Sequence, residues 1–216
     1  ISLMFNIKLP INFNSPYKAT NIQDFWRRWH ITLSRFLRDY VYIPLGGNKK
    51  GSFRTYSNLL ATFVIGGLWH GAGWTFVFWG FLHGLALVIH RVWTNLGFKM
   101  NTILAWFITF NFVNIAWIFF RAKEWDDAIK VLKGMFGING LGEIYQITSF
   151  GAITKFDFIY IFLAFIVAIV GFFFKNSSEY YLNNYINQKI ALYSALLFSI
   201  SIMYLTKITH FLYFNF

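Results

Sequence analysis

The chain has 216 residues, of which 57% are hydrophobic, 23% aromatic and only 12% charged, and it carries a formal net charge of +11. So little charge with so much Phe excludes an ordinary soluble domain and fits a polytopic membrane protein. The absence of cysteine excludes disulfides, thiolate metal sites and a cysteine nucleophile.

In such a chain Lys and Arg cluster in cytoplasmic loops and near anionic lipid head groups, so the positive charge is not first a nucleic-acid signal. The basic residues are interleaved with apolar runs, which argues against nucleic-acid binding. No basic-then-apolar signal peptide opens the sequence, and Ile1 suggests a piece of a longer protein.

Residues 8–17 carry Pro10, Pro16 and several Asn/Ser residues and read as an extended loop. Thr20 and Gln23 have capping-box spacing, which predicts a helix start. A single amphipathic helix is expected over about 22–40. One face would hold Arg27, Arg28, Ser34, Arg35 and Arg38, the other Phe25, Trp29, Leu33, Phe36 and Tyr40. Such a helix lies in the membrane interface, where its arginines meet lipid head groups, or lines a basic vestibule for an anionic substrate. The following Gly46-Gly47-Asn48 is turn chemistry, and Lys49, Lys50 and Arg54 place this loop on the cytoplasmic side.

No charged residue occurs from Thr55 to His90. A straight helix over that run would reach about 54 Å, against about 30 Å of hydrocarbon. It must break or double back, and the glycines between Gly66 and Gly73 mark the place. Two helices, about 56–68 and 74–93, are expected to meet at His70. Broken backbone at membrane depth is tolerated only inside protein or beside a wet cavity, which puts His70 in the interior.

Residues 101–120 predict a spanning helix, with Asn111 and Asn114 expected to bond neighbouring helices. An interfacial helix follows over 121–133, then a glycine-punctuated loop over 134–157. Two more apolar runs, 158–174 and 190–206, complete a single membrane domain, 1–216.

Of the five histidines, His70 is the strongest candidate for chemistry. A neutral imidazole in a dry pocket can take the proton of an attacking hydroxyl. His30 is a plausible second group that polarises a carbonyl or steadies an oxyanion. His83, between Gly80 and Gly84, reads as a packing residue, and His210 as interfacial. No phosphate-binding loop, nucleophile elbow or His-x-x-x-His metal pair is present.

Two motifs sharpen this reading. Phe25-Trp26-Arg27-Arg28-Trp29-His30-Ile31-Thr32-Leu33-Ser34, then Leu37-Arg38-Asp39-Tyr40 and Tyr42-Ile43-Pro44-Leu45-Gly46-Gly47-Asn48, resembles the signature of the membrane-bound O-acyltransferase family. Gly67-Leu68-Trp69-His70-Gly71-Ala72-Gly73-Trp74-Thr75-Phe76, with Trp79-Gly80 and Leu82-His83-Gly84, resembles its second signature. The bacterial alginate O-acetyltransferase branch is the nearest in pattern. The signature region covers about residues 20–125.

The resemblance implies an all-α helical funnel with broken and interfacial helices, of which this chain would be the C-terminal part. It implies His70 as the catalytic residue and His30 as its partner. Around them, Trp29, Arg27, Arg28, Arg35, Trp69, Trp74 and Asn111 are the candidate donor- and substrate-contacting residues. The expected reaction moves an acetyl group from cytoplasmic acetyl-CoA towards hydroxyls of an extracytoplasmic polysaccharide such as alginate, directly or through a partner protein. The expected location is the bacterial inner membrane, multi-pass. No metal or bound cofactor is expected. The alternatives are D-alanyl transfer from a carrier protein to a cell-wall polymer, and a non-enzymatic transporter. A transporter would favour a matching pair of broken helices, and only one broken segment is visible.

Overall fold

A computed structural model describes residues 5–138 and 188–204, with isolated positions between 162 and 179. The chain divides into two compact units, Ile1–Phe172 and Phe173–Phe216. Among the described residues the structure is entirely helical: α1 (Ile22–Arg28), α2 (Ile31–Leu37), α3 (Gly51–His70), α4 (Trp74–Asn95), α5 (Thr102–Arg121) and α6 (Trp125–Met135) in the first unit, and α7 (Gln188–Tyr204) in the second. The apolar run 190–206 is thus a helix shifted two residues towards the N-terminus. The run 158–174 lies largely outside the described residues, as does His210.

The charge-free segment does break, and it breaks at the glycines. α3 ends at His70, and Gly71–Gly73 lead straight into α4. The two helices form an antiparallel hairpin closed by glycine. A Cβ on Gly67 would overlap the Phe76 carbonyl, one on Gly80 would overlap the Phe63 carbonyl, and one on Gly84 would come within 3.1 Å of Leu60 Cα. Only glycine lets the backbones approach this closely. α5 then returns antiparallel to α4, with Phe119 against Phe78 at 4.7 Å and Phe112 against His83 at 5.4 Å between ring centroids.

Two of these helices, α4 and α5, are long and apolar enough to cross a membrane. The side-chain distribution suits hydrocarbon rather than water. On α3 the buried residues are small or polar, namely Thr55, Asn58, Thr62, Gly66 and Gly67, while Phe53 is 84% exposed and Ile65 and Leu68 are also exposed. α5 buries Thr109, Val113 and Ala116 along with Phe119, and exposes Ile103, Leu104 and Phe107. Small residues between helices and large apolar residues outside are the pattern of packing in lipid.

The polar side chains in these helices are satisfied locally, as a dry setting requires. Thr62 Oγ1 donates to Asn58 O at 2.6 Å and Thr109 Oγ1 to Ala105 O at 2.7 Å. Asn111 and Asn114 do the same, donating at 2.8 Å to Phe107 O and Phe110 O. The expected bonds to neighbouring helices are therefore replaced by bonds one turn back on α5, where an acceptor is always within reach.

The segment 22–40 differs most from expectation. It is two short helices separated at Trp29 and His30, followed by a π-helical turn over Arg38–Tyr42. Its N-cap is Asn21 rather than Thr20: the Asn21 side chain accepts from Asp24 N at 2.7 Å. Because the helix breaks, Arg27 and Arg28 no longer share one helix face with Arg35 and Arg38.

α1 lies against the α4–α5 pair. Phe25 and Trp26 are buried there with Trp79, Val113, Ala116 and Phe119 in one core cluster. α6 carries a capping box between Glu124 and Asp127 and seats Trp125 on Phe78 at 5.0 Å. A helix is therefore present where one was expected over 121–133, but over 125–135.

Candidate active site

His30 stands at the break between α1 and α2 with φ 45° and ψ 54°, in the left-handed region. That conformation costs a non-glycine residue about 1–2 kcal/mol, and such strain persists only where the surroundings hold it. Here the N-terminal loop holds it. Ile31 N donates to Asn12 O at 2.9 Å, and Asn14 N donates to Arg28 O at 2.9 Å. The Asn12 carboxamide oxygen accepts from Thr32 N at 3.1 Å and Thr32 Oγ1 at 2.9 Å. From α2, Ser34 Oγ reaches back to Trp26 O at 3.2 Å.

His30 is half-buried, and its Nδ1 is buried without a hydrogen-bond partner from another of the described residues. Burial pushes its pKa below the ordinary histidine value, against a smaller opposing contribution from its own backbone. The group is thus held towards the neutral form, in which one ring nitrogen accepts and the other still carries a proton to donate.

His70 is the last residue of α3, at the point where α3 ends, α4 begins and α5 ends. It is half-buried among aromatic rings. Trp79 stands perpendicular to it at 5.3 Å and 89°, Phe120 at 5.0 Å and 80°, and Trp69 at 4.9 Å and 75°. The two histidines come from segments 40 residues apart in sequence, and both segments meet Trp79, which stands 6.0 Å from Trp26 of α1 and 5.3 Å from His70.

Behind this pair lies His83, 0% exposed. Its Nδ1 accepts a hydrogen bond from Trp26 Nε1 at 3.2 Å. Five aromatic rings surround it, including Trp79 at 4.9 Å and Phe25 at 6.3 Å. His83 is thus a packed core residue, as its glycine neighbours suggest.

The other candidates spread outward. Trp29 is half-buried between Phe13 at 5.0 Å and Trp117 at 5.1 Å, one residue before His30. Arg28 forms an ion pair with Asp24 at 2.9 Å, one turn back on α1. Arg27 and Arg35 are exposed. Trp69 is 62% exposed beside His70, and Trp74 is 81% exposed at the start of α4. Asn111 lies on α5, its amide committed to Phe107 O. Three residues that shape the site did not stand out from the sequence as candidates: Asn12, Trp79 and Phe120. Trp79 sits in the second motif, directly before a glycine. Asn12 and Phe120 carry no local signal.

The comparisons with known proteins identify the family. The sequence profile of the membrane-bound O-acyltransferase family matches residues 3–123. The chain is 50% identical to a peptidoglycan O-acetyltransferase of Helicobacter pylori over 100% of this chain and 44% of that protein. It is 46% identical to a probable alginate O-acetylase of Azotobacter vinelandii over 63% of this chain and 28% of that protein. It is 33% identical to a teichoic acid D-alanyltransferase of Bacillus subtilis over 57% of this chain and 35% of that protein. The chain thus spans less than half the length of these curated relatives. Profile, motif order and helical architecture agree: the chain belongs to the membrane-bound O-acyltransferase family.

Proposed function

We propose that the protein containing this chain transfers an acyl group, acetyl by preference, from a thioester donor to hydroxyls of an extracytoplasmic glycan. The observation that carries the reading is His70 at the break between α3 and α4, walled by Trp69, Trp79 and Phe120, with the α1 arm that leads to His30 packed on the same Trp79 through Trp26. His70 is the general base. It takes the proton of the attacking hydroxyl as the oxygen bonds to the acyl carbonyl carbon, and the proton passes to the departing thiolate as the carbon–sulfur bond breaks. His30 assists by stabilising charge on the carbonyl oxygen. Acetyl-CoA is the proposed donor. Among the glycans, peptidoglycan is favoured over alginate, because the likeness to the peptidoglycan enzyme runs the whole chain.

The proposed location is the bacterial inner membrane, in a multi-pass arrangement with the Lys49-Lys50-Arg54 turn on the cytoplasmic side. The candidate donor contacts are those nearest the histidines, Trp29 and Trp69, with the exposed Arg27 and Arg35 available to an anionic donor.

The test is transfer by the full-length protein in liposomes with radiolabelled acetyl-CoA. His70→Ala should lower transfer by about 100-fold or more while leaving the protein folded. Retained transfer would overturn the role of His70. Transfer from an acyl carrier protein but not from acetyl-CoA would favour D-alanyl chemistry. No turnover with either donor would overturn the enzymatic reading.

A further inference from the structure

His83 makes no direct contribution to the chemistry described above, yet it touches a tryptophan on each side of the site, Trp26 and Trp79. Its Nδ1 accepts from the Trp26 indole at 3.2 Å across 57 residues of sequence. Trp26 lies four residues before His30, and its carbonyl is bonded to Ser34 Oγ at 3.2 Å on the far side of the His30 turn. On its other flank His83 meets Trp79 at 4.9 Å, and Trp79 stands against His70 at 5.3 Å. One imidazole therefore touches Trp26, on the arm that leads to His30, and Trp79, a ring in the wall of His70.

The local chemistry excludes simpler roles. An Nδ1 that accepts a hydrogen bond is unprotonated, so the neutral ring carries its proton on Nε2. That Nε2 is buried and has no hydrogen-bond partner among the described residues. A fully buried group of this kind does not exchange protons with substrate. As filler it is a poor choice: an unsatisfied buried N–H costs about 1–3 kcal/mol, whereas a phenyl ring fills similar space without that penalty. What the imidazole supplies and a phenyl ring does not is an acceptor for Trp26.

We infer that His83 is a positioning residue for acyl transfer: by anchoring Trp26 and backing Trp79, it sets the spacing between His30 and His70. This rests on the acyltransferase reading above. A misplacement of about 1 Å at reacting groups can lower a rate by about 100-fold, so a bond at this distance from the chemistry is enough to matter.

The test is kinetic, on the full-length protein in liposomes with acetyl-CoA as the varied donor, with folding followed by size exclusion and thermal unfolding. His83→Phe keeps a ring but removes the acceptor. It should lower kcat by about 10-fold or more with the donor KM within about two-fold of wild type. His83→Asn offers its carboxamide oxygen close to the position of Nδ1 and should recover most of that loss. Trp26→Phe removes the donor from the other side and should reproduce the His83→Phe effect. It decides the matter, together with His83→Asn, where His83→Phe does not fold. Wild-type kcat in His83→Phe, equal loss in the Asn and Phe variants, or a change confined to KM would overturn the inference. Absence of transfer in the wild type would instead overturn the acyltransferase reading, and the inference with it.

Discussion

The Asn12 carboxamide oxygen accepts two hydrogen bonds from Thr32, one from its amide at 3.1 Å and one from its hydroxyl at 2.9 Å. A loop residue thereby fixes the first turn of α2, and with it the left-handed backbone of His30. Removing that oxygen leaves both donors without it and lets the turn relax. Asn12→Ala should destabilise the protein by about 1–2 kcal/mol and lower acyl transfer by more than the loss of stability explains. Asn12→Asp keeps an acceptor and should retain most of the activity. Thermal unfolding in detergent beside transfer rates checks both; unchanged transfer in Asn12→Ala would separate the His30 turn from function.

The same contact explains what the sequence did and did not disclose. The break at Gly71–Gly73 was legible because the charge-free run exceeds a membrane thickness and glycine marks its interruption locally. The break at His30 was not. Residues 22–37 keep helical periodicity on both sides of it, and its cause is a loop ten or more residues upstream. A period count does not register a bond from Asn12 to Thr32. The Trp26–His83 bond is hidden for the same reason: it joins two motifs that sequence shows only in order. The two histidine motifs were legible as motifs, while the aromatic wall of His70 needed α5 folded back to bring Phe120 to it.

The glycine hairpin gives a contrast within one chain. At Gly80 an added methyl group meets the Phe63 carbonyl, a backbone atom of α3 that has no freedom to yield. Gly80→Ala should separate α3 from α4 and sharply reduce the yield of folded protein. At Gly134, inside α6, a Cβ meets nothing within 4 Å. Gly134→Ala should be neutral or stabilise by about 0.5–1 kcal/mol through helix propensity alone. Detergent-solubilised yield and unfolding midpoints read both; equal tolerance at the two positions would contradict the close approach of the helices.

Proton uptake by His30 sets a pH dependence of defined sign. Its pKa in the folded protein lies below the ordinary value of about 6.5, chiefly through burial. The unfolded chain therefore binds a proton first as the pH falls. The stability associated with neutral His30 is present above pH about 6.5 and is lost progressively below it, towards the lower folded pKa. Transfer should follow the same sense, flat near neutrality and falling on the acid side. In His30→Gln the acid limb of the stability profile should flatten. A stability profile that rises as pH falls from 6.5 would reverse the assignment.

The aromatic wall of His70 yields the last prediction. Phe120 stands perpendicular to the imidazole at 5.0 Å and to Trp79 at 5.1 Å, so it closes one side of the site and supports the ring on the other. Edge-to-face contacts of this kind contribute about 0.5–1.5 kcal/mol beyond the area they bury. Phe120→Ala should open the wall, admit water beside His70 and leave its imidazole free to reorient. Transfer should fall by about 10-fold or more, and hydrolysis of the acyl donor should rise relative to transfer, because a closed site is what excludes water as the competing acceptor. Phe120→Tyr keeps the ring and should hold the ratio of hydrolysis to transfer near wild type. A phenyl-free variant with an unchanged ratio would show that the wall supports the fold without shielding the chemistry.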